Sequence, residues 1–418
     1  MIHARPEPRW PPWSLAWRLV VGAAMVAASG WSIKLAYADY LYSQATLESV
    51  RRAVALAPDN PSYHSRLAAL LRDEDPDLST AELRTALRLN PRDAQTWIEL
   101  GLHAEFRKDY MEAERCLLEA ARVDKQYVPR WTLLNYYFRR QRPELFWRWA
   151  REAAPMNFGD PSPLFRLCLQ MTADASGLAP RLGLTKPEML ANYLSFLVSE
   201  NRSEALAPVA RQLLESSRVV DTPLLVTACD RLLAGNQFDQ SLGLWNGLCE
   251  KGFLPYQPVS GSSRPLTNPD WRVPPLSLGF DWRLPQLDGV YVSRQENPPI
   301  LRIDFSGRQP ESCEVLTQLV PVMESSSYMA TCHYRTAKIR PEAGLAWTVI
   351  EVPSGRNLAA DTLSLSHEEE TAVRIPFRTL PSTRMVRLSL VYRRAIGTTR
   401  IEGTIWLRNM EMTPPSPP

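Results

Sequence analysis

Between residues 37 and 255 apolar side chains return every three or four positions, the spacing that lays one stripe along a helix. The clearest stretch runs from 94 to 127, where Trp97, Leu100 and Gly101 mark one helix and Ala113, Leu117 and Ala120 the next. Trp131 follows Trp97 by 34 residues, again with a leucine three positions on, Leu134. Upstream, Ala53 with Pro58 and Ala86 with Pro91 repeat a small residue and a closing proline, 33 residues apart. Proline ends a helix because it has no amide to donate and its ring clashes with the preceding turn. Tyr63 takes the tryptophan position of the earlier unit, with Leu67 and Ala68 behind it. The unit starting near Val128 is weaker: Trp131, Leu134 and Phe138 fit its first helix, and Trp147, Trp149, Ala153 and Ala154 fit the second only loosely. From 156 to 252 the pattern drifts yet stays helical, pairing 187–198 with 203–214 and 222–233 with 238–249. Five to six helix pairs are expected, some degenerate, enough for a stable stack.

Residues 252–276 are rich in Pro, Ser and Gly, which predicts a linker or domain-opening loop over 253–270. Beyond it the period becomes two. Segments 300–305, 328–334, 347–352, 373–377, 385–392 and 404–407 alternate or run β-branched and aromatic, with turn residues between them. An antiparallel β-sandwich over 271–411 is the expectation. The closing TPPSPP has nothing to pack, so 412–418 reads as a disordered tail.

The N-terminus bears on the compartment. Residues 1–15 are basic, and Arg5, Arg9 and Arg18 face a single acid, Glu7. No charge then occurs from Leu19 to Ile33. Extended by Ala16 and Trp17 on one side and residues 35–38 on the other, with Arg18 and Lys34 able to snorkel, 16–36 reads as a transmembrane anchor. The arginine excess before it places the N-terminus in the cytoplasm and the bulk of the chain outside the inner membrane of a bacterium. Two alternatives stand beside it: a signal peptide cleaved at Ala36-Tyr37-Ala38, and a buried first helix of the array. Anchor and signal both imply export to the periplasm.

Composition narrows the function classes. The chain has 418 residues, 45% hydrophobic and 22% charged, with 48 basic and 45 acidic side chains and a net charge of +3. That near balance, with no basic block among aromatics, gives no support to nucleic-acid binding. The six cysteines form no C-x2-C pair, and the five histidines share no ligand spacing, so no metal and no cofactor are expected. Cys116, Cys168 and Cys229 lie in apolar helical contexts suited to buried thiols, and pairing of Cys313 with Cys332 stays open. No nucleophile elbow, P-loop or H-E-x-x-H is present, and Glu368-Glu369-Glu370 reads as a solvated turn, so an enzyme is not expected.

The W-x2-L-G and A-x3-L spacings, repeated at 34 residues over 37–155, resemble the tetratricopeptide repeat (TPR) family, an α-solenoid. The resemblance implies a protein partner on the face lined by the first helix of each pair. It points to Gln95, Ile98, Leu102 and Glu105 in the best unit and Thr132, Tyr136 and Arg139 in the next; ordinary packed or solvated roles stand as the alternative.

Over 266–411 the chain is similar to a carbohydrate-binding jelly roll of the galactose-binding-like type. The residues that carry this are Asn268-Pro269-Asp270-Trp271, Gly279-Phe280-Asp281-Trp282, Gln318 to Val322 leading to Tyr328, and Ile405 to Met410; Arg408 and Asn409 depart from the usual closing strand. A sugar would need an exposed aromatic platform with planar polar neighbours. Trp282 and Trp347 are the platform candidates, with Asp281, Arg283 and Gln318 as partners, and core packing is the alternative for each tryptophan.

A membrane-anchored, exported scaffold follows, binding a protein through its repeats and a polysaccharide through its jelly roll, in envelope or exopolysaccharide assembly. The alternatives are an assembly factor without a sugar ligand and a glycan hydrolase.

Overall fold

The computed structural model describes residues 15–156, 159–340, 342–360 and 365–413. The basic stretch over 1–14 and the tail over 414–418 lie outside the described residues. The chain forms two compact units, Met1–Gly159 and Asp160–Pro418.

The first unit is built of helices: α1 Leu15–Ser43, α2 Leu47–Leu56, α3 Pro61–Leu71, α4 Pro76–Leu89, α5 Ala94–Phe106, α6 Tyr110–Val123, α7 Tyr127–Arg139 and α8 Pro143–Ala153. They associate as consecutive pairs, each stacked on the next. The starts are written locally. The side chains of Asn60, Asp75, Asp93 and Asp109 accept an amide N–H at the first turns of α3 to α6, and proline opens α3, α4 and α8. Gly101 has no room for a side chain. A Cβ there would lie 2.9 Å from Leu117 and 3.2 Å from the Ala113 carbonyl, so glycine sets how closely α5 and α6 approach.

Helix α1 is the one described helix long and apolar enough to cross a membrane. Its side chains from Trp17 to Ile33 are exposed, whereas Ala38 (0% exposed) and Leu41 are buried against Ala53 and Tyr63. The Tyr63 hydroxyl donates to Asp39, and its ring stacks on Tyr42 at 5.0 Å. The far end of α1 therefore serves as the first helix of the first pair.

The second unit opens with α9 Ser162–Met171, α10 Leu178–Leu182, α11 Pro187–Ser199, α12 Ser203–Glu215, α13 Thr222–Ala234 and α14 Phe238–Glu250. The repeat interval persists: Arg166 on α9 pairs with Glu200 just past α11, 34 residues away, at 3.0 Å. Nine described strands follow: β1 Val290–Glu296, β2 Pro299–Ser306, β3 Ser312–Pro321, β4 Ser327–Ala337, β5 Leu345–Val352, β6 Asn357–Ala360, β7 Thr371–Arg378, β8 Met385–Arg393 and β9 Glu402–Thr413. They form two antiparallel sheets, β1-β2-β9-β4-β7 and β3-β8-β5-β6, with one apolar core drawn from both. Residues 412 and 413, expected in the tail, are the end of β9.

Segment 253–270 differs from the expected linker. Leu254, Val259 and Leu266 are buried, and the Tyr256 ring stacks on Trp245 of α14 at 5.8 Å. Trp245 also meets Phe280 at 5.9 Å, and a Cβ on Gly279 (φ +61°) would lie 2.5 Å from its ring. Asp230 of α13 accepts from Arg283 at 2.6 Å and from the Gly279 amide at 3.1 Å. Proline and glycine density predicted irregular backbone, which is present; the apolar residues between them are what pin it down.

Candidate functional site

Gln95, Ile98, Leu102 and Glu105 follow one face of α5, and Thr132, Tyr136 and Arg139 one face of α7. The Arg139 guanidinium donates to both Glu105 oxygens, at 2.9 and 2.6 Å, so the two faces adjoin at equivalent positions one repeat apart. Not all seven side chains reach the surface. Ile98 and Tyr136 are buried, and the Tyr136 hydroxyl donates to the Tyr110 carbonyl at 3.0 Å. Those two are corrected to packing positions, because the inward side of the stripe is needed for stacking. Gln95 is exposed and donates to Glu99 at 3.2 Å, and Thr132 is half-buried with its hydroxyl on the Val128 carbonyl at 3.0 Å. Leu102 is exposed, and Phe106, one turn later on the same face, is 86% exposed. Met111, beyond the turn at the start of α6, is equally exposed. Sequence phase missed Phe106 and Met111; their apolar type at the end of a hairpin was the available signal.

Four of the five residues expected to hold a sugar, Trp282, Trp347, Asp281 and Gln318, are buried, and Arg283 is half-buried beside them. Trp282 is 0% and Trp347 1% exposed, meeting edge to face at 6.2 Å, with Trp271 4.9 Å from Trp282. Neither ring presents a face to solvent, so the expectation of an exposed platform is corrected: large rings fill the space between sheets. Gln318 is buried and donates to the carbonyls of Thr267 (2.8 Å) and Phe280 (3.0 Å). Asp281 is buried and accepts from the Tyr256 hydroxyl and the Leu276 and Trp282 amides. Burial raises its carboxyl above the ordinary range, against the pull of those hydrogen bonds. Arg283 is occupied by Asp230. Gln318 ties segment 253–285 to β3 and Arg283 ties it to α13, while Asp281 closes hydrogen bonds within the segment.

A half-exposed aromatic lies elsewhere in the sandwich. On β9, Ile405 and Leu407 point into the core, which turns Thr404, Trp406 and Arg408 outward. Trp406 stands in register between Arg302 of β2 and Arg335 of β4, whose guanidinium carbons lie 5.8 and 4.1 Å from its ring centroid. Arg302 donates to Asp304 at 3.1 and 2.9 Å, and Thr404 donates to the same oxygen at 2.6 Å. Partial burial would raise the Asp304 carboxyl, but Arg302 and Thr404 outweigh it and hold it below its ordinary value. Beside this row lies a shallow cavity of about 380 Å³ lined by His333, Arg408, Asn409 and Glu411 among others. The alternation I-W-L-R in the last strand was the signal that separates Trp406 from the buried tryptophans.

Among the described residues no group of three or more His, Cys, Asp or Glu side chains is placed to hold a metal, and Cys313 and Cys332 are free thiols.

No family model matches the chain, and no curated protein matches it in sequence. Among solved structures it is similar to YrrB, described as a TPR protein with an unusual peptide-binding site, at 13% identity and a TM-score of 0.26. That likeness covers 49% of this chain and 93% of YrrB. It is also similar to a chain described under the heading CBM4 structure and function, at 14% identity and a TM-score of 0.28. Here 35% of this chain and 97% of the other are covered.

Proposed function

We propose that the protein is a membrane-anchored scaffold of a bacterial envelope that binds a protein partner on its helical stack and a saccharide on its β-sandwich. The observation that carries the reading is the exposed apolar set Leu102, Phe106 and Met111 on the best-formed helix pair, set beside the Glu105–Arg139 ion pair. Large apolar groups in water are costly, and gathered at the end of a hairpin they suit contact with a partner. The half-exposed Trp406, with Arg302, Asp304 and Thr404 in the same outward row, supports the saccharide. The exposed apolar length of α1 supports an anchor, and the arginine excess before it supports a cytoplasmic N-terminus with the bulk of the chain periplasmic. Burial of Ala38 in the first pair supports an uncleaved helix, since cutting there would remove part of that core. Export and a role in polysaccharide assembly belong to this reading.

Site-specific photocrosslinking from position 106, in the parent and in Leu102→Asp and Met111→Asp variants, tests the partner. One crosslinked species in the parent that both variants lose supports the reading. The same species in all three, or none, refutes it. The second reading, an assembly factor with no sugar ligand, is favoured by the burial of Trp282 and Trp347, and polysaccharide binding by the full chain separates the two.

A further inference from the structure

The outward face of the five-stranded sheet carries a cation its neighbours leave uncompensated. Arg302 is engaged by Asp304, and Arg408 donates to both oxygens of Glu370 at 2.8 and 2.6 Å. Arg335 is exposed, its guanidinium carbon lies over Trp406 at 4.1 Å from the ring centroid, and among the described residues it forms no ion pair. A guanidinium stacked on an indole surrenders little hydration and is held in one orientation. Among the described residues its N–H groups make no hydrogen bond, so they are free to donate. The result is a planar fork of donors with no internal acceptor, the complement of a carboxylate.

The same stack decides against a neutral sugar. Trp406 is flanked by guanidinium groups on its two strand neighbours, so a pyranose cannot lie on the indole without displacing a cation. A sugar that brings its own negative charge meets Arg335 without disturbing the stack.

We infer that this face binds an acidic polysaccharide, Arg335 engaging a uronate carboxylate and Trp406 holding Arg335 in place. The inference rests on the saccharide reading above and names the class of ligand.

The test is affinity electrophoresis of the detergent-solubilised full chain against polygalacturonate, its methyl ester and dextran, with Arg335→Ala and Arg335→Lys alongside. Circular dichroism melting confirms that each variant folds. Polygalacturonate should retard the parent, and esterification or Arg335→Ala should each weaken binding about tenfold or more, the loss of a charge-assisted contact. Arg335→Lys should fall between, since it keeps the charge and loses the fork. Equal binding of acid and ester, or full affinity in folded Arg335→Ala, overturns the uronate assignment and leaves the saccharide reading standing. No retardation by any of the three polymers overturns both. Binding to phosphatidylglycerol vesicles in place of polygalacturonate would assign the face to lipid headgroups and overturn the inference.

Discussion

Cys116, Cys168, Cys229, Cys249 and Cys332 are buried, and desolvation pushes each thiol up to about 12. A thiol reacts as its thiolate, so these five are inert in the native protein even well above neutral pH. Cys313 is half-buried, and its thiol is also raised by burial. Maleimide labelling at pH 8 followed by peptide mass analysis should find adduct at Cys313 alone, and at all six after unfolding. Rapid native labelling of any of the other five would contradict the packing. Tryptophans divide in the same way. Trp282→Ala should cost about 3–5 kcal/mol in urea unfolding of the second unit, the usual loss for a large core ring. Trp406→Ala should cost clearly less, because part of its surface is already in water. Equal losses would mean that the outward assignment of β9 is wrong.

Helix pairs and strands were readable in the chain because each obeys a local period. Trp97, Gly101, Ala113 and Leu117 announce α5 and α6, and the 34-residue interval reappears as the Glu105–Arg139 and Arg166–Glu200 pairs. The facing of each side chain was less readable. Phase places Ile98, Leu102 and Tyr136 on one stripe, but the edge between packed and open positions depends on how the next pair stacks, a long-range property. The same holds for Trp282 and Trp347. A sequence shows that an aromatic is present, while its burial is settled by the opposite sheet. Trp406 was an exception left unused, since its apolar neighbours Ile405 and Leu407 fix its parity. Gly101 offers a test at this scale. Gly101→Val meets Leu117 and should destabilise the first unit by about 1–3 kcal/mol. Gly243→Ala, on the exposed side of α14 with nothing within 4 Å of its Cβ, should be neutral or stabilising by up to about 1 kcal/mol. Thermal melts of the two variants check both signs; a harmless Gly101→Val would remove the close-approach argument.

In the second unit the proline-rich segment led the sequence to suggest two bodies on a tether, and the packing makes one. Trp245, Tyr256 and Phe280 form a shared aromatic cluster, while Asp230–Arg283 and Tyr256–Asp281 close hydrogen bonds between groups far apart in sequence. A fragment beginning at 264 discards α13, α14 and Tyr256, and so removes the Trp245 ring from Phe280, the Tyr256 hydroxyl from Asp281 and the Asp230 carboxylate from Arg283. It should melt lower than a fragment spanning 160–418, which should unfold in a single calorimetric transition. Equal melting temperatures would show that the helices add nothing to the sandwich.

Helix α1 has a mechanical consequence in the first unit. Its 29 residues, about 43 Å at 1.5 Å each, run unbroken from an exposed apolar stretch into the core of the first pair. A protein held by such a helix has no swivel between lipid and stack. Where the apolar stretch is longer than the hydrocarbon layer, the helix leans to fit it. The stack must then rotate through the same angle. In the anchored protein proposed above, bilayer thickness would thereby become a setting for the direction in which Leu102 and Phe106 point.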